Sequence, residues 1–146
     1  QSAIAARLPA LRLTGDRAAG ESLFRQRCLT CHRHGTEGAE VGPDRVTFRN
    51  LGKPTLLASL LDPNREVAPR YMAATITTTG GNTWQGLLLR DDPQGVSLRL
   101  VGGREIDINR ADIASFDRLA RSLMPEGLET GLTDAELASL LEFLVQ

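Results

Sequence analysis

Cysteine, histidine and lysine are all scarce in this chain: two cysteines, two histidines and one lysine among 146 residues. Two cysteines leave no room for a disulfide framework, and a chain of this length buries enough core to fold without one. Aromatic residues make up only 4% of the sequence and the formal charge is −1, so neither stacking platforms nor a basic field points to nucleic acid. No apolar run reaches the length of a membrane span. No basic-then-apolar leader opens the chain, which reads as a mature or excised product. Lys53 stands alone against sixteen arginines, a bias read as codon composition before function. Charge is uneven along the chain: residues 1–53 carry nine basic and five acidic side chains, residues 120–146 one basic and five acidic.

What remains is organised in three stretches. Residues 1–13, QSAIAARLPALRL, read as a short amphipathic helix or a linker. From Thr14 or Asp16, either of which suits a helix cap, apolar residues follow helical spacing through Leu23 and Phe24 to Cys28, with Gly20 and Phe24 one turn apart on a single face. A glycine-rich loop closing in Gly42-Pro43-Asp44 leads to a short helix over residues 53–61, which Asp62-Pro63-Asn64 ends. Over residues 70–118 the pattern changes to period two. Strands are expected at Tyr71 to Thr79, Trp84 to Arg90, Val96 to Val101 and Glu105 to Asn109, with turns at Gly80-Gly81-Asn82, Asp92-Pro93-Gln94-Gly95 and Gly102-Gly103. Helix returns at the end. Thr133 and Glu136 fit a capping box, and Leu137, Leu140, Leu141 and Leu144 form one apolar stripe.

Both cysteines sit in one run, Cys28-x-x-Cys31-His32. Two thiols at this spacing can each add to a vinyl group on one edge of a porphyrin, and the next residue then presents an imidazole to the iron. The run is the mark of covalent haem c attachment. Three other readings stand beside it: a thioredoxin-like dithiol, which wants its motif at a helix N-terminus; a zinc site using Cys28, Cys31, His32 and His34, poorly spaced for a tetrahedron; and a thiol pair with no role. His34 reads as a surface loop residue. Arg45 and Arg49 are candidates to pair with a propionate, and Trp84 and Tyr71 read as packing residues.

The pattern G-D-x-x-x-G-x-x-L-F-x-x-x-C-x-x-C-H at residues 15–32 resembles the opening helix of class I cytochromes c. Residues 15–146 as a whole resemble the haem-binding domain family named for Planctomycetes and Verrucomicrobia, through Val41-Gly42-Pro43-Asp44, Leu60-Leu61-Asp62-Pro63-Asn64, Ala68-Pro69-Arg70-Tyr71, Arg110-Ala111-Asp112-Ile113 and the SLMPEGL run from Ser122 to Leu128. The resemblance implies that residues 1–13 are the tail of a preceding module, and that the domain serves large secreted proteins. It also implies that Gly20 and Phe24 pack near Leu140 and Phe143, that the Pro43 carbonyl accepts from the free nitrogen of His32, and that Met124 is the sixth iron ligand.

Met124 lies 92 residues after His32, too far for a compact small cytochrome; setting aside the 47 residues of 70–116 leaves 45, an ordinary separation. Met72, 40 residues after His32, is the rival, but it sits in a strand pattern. The expected fold is therefore a mainly α cytochrome c fold over residues 14–146 with a small antiparallel β subdomain inserted at about 70–116. The expected function is electron transfer by one covalent haem outside the cytoplasm, in the periplasm or beyond. Cys28, Cys31, His32, Pro43 and Met124 would hold the group, without catalysis by the domain itself, and a redox partner or fused dehydrogenase would exchange the electron. The alternative is a haem enzyme or gas sensor with an open distal side. A third reading makes the haem structural and the β segment, whose strand rhythm resembles small SH3-like or Sm-like barrels, an interaction surface.

Overall fold

The structure, a computed structural model, describes residues 2–65 and 67–146. Helix α1 (Ser2–Arg7) runs into a 3-10 turn at Leu8–Arg12, where Pro9 suits the first turn. The stretch read as a linker or tail is tied to the core: Ala10 is buried, Arg7 Nε lies 2.8 Å from Asp134 Oδ1, and Arg7 Nη2 donates to Leu132 O at 2.7 Å. Helix α2 (Arg17–Arg27) is capped by Asp16, whose Oδ1 accepts from the Ala18 N–H at 3.0 Å. Helix α3 (Lys53–Leu61) buries Leu56, Leu57, Leu60 and Leu61 and stops ahead of Pro63.

Five strands follow: β1 (Met72–Thr78), β2 (Thr83–Asp92), β3 (Gly95–Arg99), β4 (Glu105–Asn109) and β5 (Ile113–Ser122). They form one antiparallel sheet in the order β4-β3-β2-β1-β5. Register puts Ile76 opposite Trp84, Val96 opposite Ile108, and Leu98 between Leu88 and Ile106, so alternate side chains meet in one buried cluster. On the other face Leu87, opposite Ala73, packs on Ala39 and Val41 of the glycine-rich loop. Helix α4 (Asp134–Leu144) closes the chain. Its capping box is complete: Thr133 Oγ1 accepts from the Glu136 N–H at 3.1 Å, and Glu136 Oε1 accepts from the Thr133 N–H at 3.0 Å.

These proportions correct the expected fold class. The chain is a five-stranded antiparallel sheet with four short helices, 36% helix and 27% strand, and not a mainly α cytochrome c fold carrying a small insertion. Strand β5 explains much of the difference. Its apolar residues Ile113, Phe116 and Leu119 recur every third position, a spacing that reads as helix, and its burial follows the same period. It is nevertheless a ten-residue strand on β1, with register irregularities near Ala74 and Thr78, and it continues six residues past 116.

Helices α2 and α4 cross at Gly20. A Cβ there would sit 1.9 Å from Ser139 O and 2.9 Å from the Phe143 Cβ, so only glycine permits this approach. One turn on, the Phe24 and Phe143 rings lie 5.5 Å apart, both fully buried. Replacing Gly20 by Ala forces the helices apart and should cost about 2 kcal/mol or more. Urea denaturation should show a lower midpoint at unchanged slope, and an unchanged midpoint would refute the close crossing.

Candidate functional site

Helix α2 ends in the Cys28-x-x-Cys31-His32 run. Cys28 is its C-cap, donating to Phe24 O at 2.8 Å, and the backbone turns once more as the Cys31 and His32 N–H groups reach Cys28 O at 3.1 and 2.9 Å. A helix end leaves carbonyls without partners. Past the helix end, loops take up the motif's own carbonyls: Ala39 N–H bonds Leu29 O at 3.1 Å, Val41 N–H bonds Cys31 O at 3.0 Å, and Gly102 N–H, from the β3–β4 turn, bonds Thr30 O at 2.9 Å. Arg99 adds a bond from Nη1 to Glu40 O at 2.7 Å. The sheet thus grips the motif loop by backbone, side chain and the apolar contact of Leu87.

The His32 ring is fixed on three sides. Nδ1 lies 2.6 Å from Pro43 O, and because a carbonyl only accepts, Nδ1 carries the hydrogen and Nε2 keeps its lone pair. Phe48 packs edge-on with centroids 5.3 Å apart. Gly42 lies flat beneath: a Cβ there would come within 2.5 Å of His32 Cε1. Sequence reading singled out Pro43 and missed Gly42, whose need for a bare backbone shows only once the ring is in place.

Cys28, Cys31, His32 and Met124 all open onto one cavity of about 310 Å³, walled by Leu56 and Leu60 of α3 and by Leu140 and Leu144 of α4. Pro43 lines it, whereas Met72, first residue of β1, is not among its described lining residues. The cavity's volume falls in the range of small-molecule and cofactor sites, and its wall is mostly apolar.

Burial acts on the ionisable groups here. It pushes the Cys28 thiol up to about 11, with Cys31 adding and Arg27 opposing. It also raises Cys31, against a hydrogen bond from Thr30. Burial lowers His32, against the Pro43 carbonyl and Asp44, so the imidazole is kept neutral. Thiols raised in this way do not suit a thioredoxin-like dithiol, which needs a lowered one at a helix N-terminus. Zinc fares no better: among the described residues no group of three or more His, Cys, Asp or Glu side chains converges to hold a metal ion.

His34 is not the free surface residue expected. Its ring is half-buried between Phe24 and Phe143, at centroid distances of 6.0 and 5.1 Å, and its Nδ1 accepts from Arg45 Nε at 3.3 Å. Arg45 is itself buried, stacked over Phe143 and donating to Phe143 O and Gln146 O; Arg49 Nε also donates to Gln146 O at 2.9 Å. Both arginines thus satisfy carbonyls at the C-terminal end of α4. Tyr71 lines the cavity, and Trp84 packs in the sheet cluster.

Compared with known proteins, the chain matches no family model and no curated protein. No helix among the described residues is long and apolar enough to cross a membrane.

The raised thiol has a measurable consequence in polypeptide made without cofactor. Between the ordinary value of 9.0 and about 11, the unfolded chain sheds the Cys28 proton while the folded chain retains it. Stability from this group is therefore complete below the ordinary value and is lost as pH rises through that window. Iodoacetamide should alkylate Cys28 with a pH midpoint near 11 in the folded polypeptide and near its ordinary value in urea. Equal midpoints in the two states would show that the thiol is not buried.

Proposed function

We propose that the chain is a mono-haem c-type electron-transfer domain, in which Cys28 and Cys31 would hold the haem covalently and His32 and Met124 would be the residues that ligate its iron. The observation that carries this reading is the convergence of two thiols, an oriented imidazole and a thioether on one apolar cavity. That donor set suits haem iron: a neutral imidazole with its free lone pair, and a soft sulfur that favours the ferrous state.

Bound there, haem supplies reversible one-electron chemistry at its iron. The chain's own residues do the rest. Pro43 fixes the tautomer and tilt of His32, Gly42 lets the ring lie against the backbone, and Phe48 keeps it from turning. Leu56, Leu60, Leu140 and Leu144 exclude water, which lowers the local dielectric and so tunes the potential. The domain carries electrons and does not catalyse. Arg45 and His34, the polar groups that a peroxidase-like distal site would want, are committed to α4 and its aromatic neighbours. Thioether attachment suits an extracytoplasmic setting, the periplasm or beyond, with a docked redox protein or fused dehydrogenase as electron donor.

Protein expressed with a haem-attachment system should gain the mass of one haem and keep its colour through acid-acetone extraction. Release of the porphyrin would end the proposal. Met124→Ala should abolish the weak far-red sulfur-to-iron band, lower the potential and open the iron to cyanide. Met72→Ala should leave all three nearly unchanged; the reverse pattern would reassign the ligand.

A further inference from the structure

We infer that Asn64 and Ser122 are positioning residues that hold Met124 toward the cavity, an inference that rests on the haem-and-Met124 reading above. Asn64 sits in the turn that ends α3, where Asp62 N–H bonds Ala58 O at 2.9 Å and Arg65 N–H bonds Asp62 O at 3.1 Å. Its side-chain amide is used at both ends. Oδ1 accepts from the Ser122 N–H at 2.9 Å, and Nδ2 donates to Glu126 Oε1 at 3.0 Å. The two partners lie two residues either side of Met124. Ser122 in turn uses its hydroxyl locally: Oγ accepts from the Met124 N–H at 3.0 Å.

Ser122 is also the last residue of β5, paired with Met72 at the start of β1. The loop is thus anchored from two directions: the sheet fixes the backbone entering it, and the helical layer, through Asn64, fixes both flanks. From its far side Arg27 of α2 donates to Leu128 O and Thr130 O at 2.7 and 3.0 Å. A thioether is a weak, neutral donor, so its residence on iron depends on how little freedom the loop has to withdraw it. An amide suits the position because it offers an acceptor and a donor in one plane; a carboxylate would lose the donor and face Glu126 as a like charge.

The test uses the full chain with haem attached, and imidazole as a competing ligand for the ferric iron. Asn64→Ala and Ser122→Ala should each raise imidazole affinity about tenfold to a hundredfold and weaken the far-red band. Ser122→Thr, which keeps the hydroxyl, should behave like the unaltered protein. Should Asn64→Ala fail to fold, the Ser122→Ala and Ser122→Thr pair carries the comparison. Met124→Ala is the reference that separates two failures. If it abolishes the band while Asn64→Ala and Ser122→Ala leave band and affinity unchanged, the positioning role is overturned and the ligand stands. If Met124→Ala itself changes neither, the ligand assignment falls and this inference with it.

Discussion

The crossing of α2 and α4 at Gly20 is the contact on which the rest of the site depends. Because Ser139 O occupies the space of a Gly20 side chain, α2 is held at a fixed depth against the last helix. Phe24 and Phe143 then lock the rotation one turn further on, and the end of α2 delivers Cys28 to the edge of the space that Leu140 and Leu144 wall off. Gly15 repeats the device at the mouth of α2, where an added Cβ would meet Ala138 O at 2.3 Å, and Asp16 N–H bonds Ser139 Oγ at 2.9 Å. A helix pair seated this closely tolerates little drift, which is what a cofactor edge needs from its wall.

The helices were legible in the sequence wherever apolar spacing and end signals agreed. The bounds of α3 follow from residues 53–61 and the proline after them, and the leucine stripe of α4 is buried as its spacing requires. The turns of the first three hairpins were equally plain, because glycine, asparagine and Asp-Pro mark them locally. Four or five strands were expected over residues 70–118, but the bounds of β5 were hidden by a period of three, which arises because an irregular edge strand need not alternate strictly when only one neighbour sets its register. That one strand carries the sheet on to Ser122, past the expected end of the β segment at 116.

The site shows a similar division. Residue types in a short run disclosed the thiols and the imidazole, while Pro43 as a partner of the ring came only as an implication of the resemblance. The supports that come from far along the chain left no local signal: Gly102 on Thr30, Arg99 on Glu40, and Arg45 on the end of α4. Arg45 in particular read as a candidate to pair with a propionate, since nothing in its neighbourhood announces that Gln146 O lies 2.6 Å from its guanidinium. Long-range satisfaction of carbonyls is invisible to pattern reading because any arginine at the right place serves.

The wide sequence separation between α2 and α4 also sets an order in time. Contacts among β1 to β4 are closed by short turns and carry little loop-closure cost, the β1–β5 pairing joins residues 35 to 50 apart, and the Gly20–Ser139 contact joins residues 119 apart. During synthesis from the N-terminus, Cys28 emerges long before α4, the helix whose cluster it packs against. Its most reactive interval is therefore early, before α4 has been made. Docking of α4 ends that interval, because the burial it completes is what pushes the thiol up to about 11.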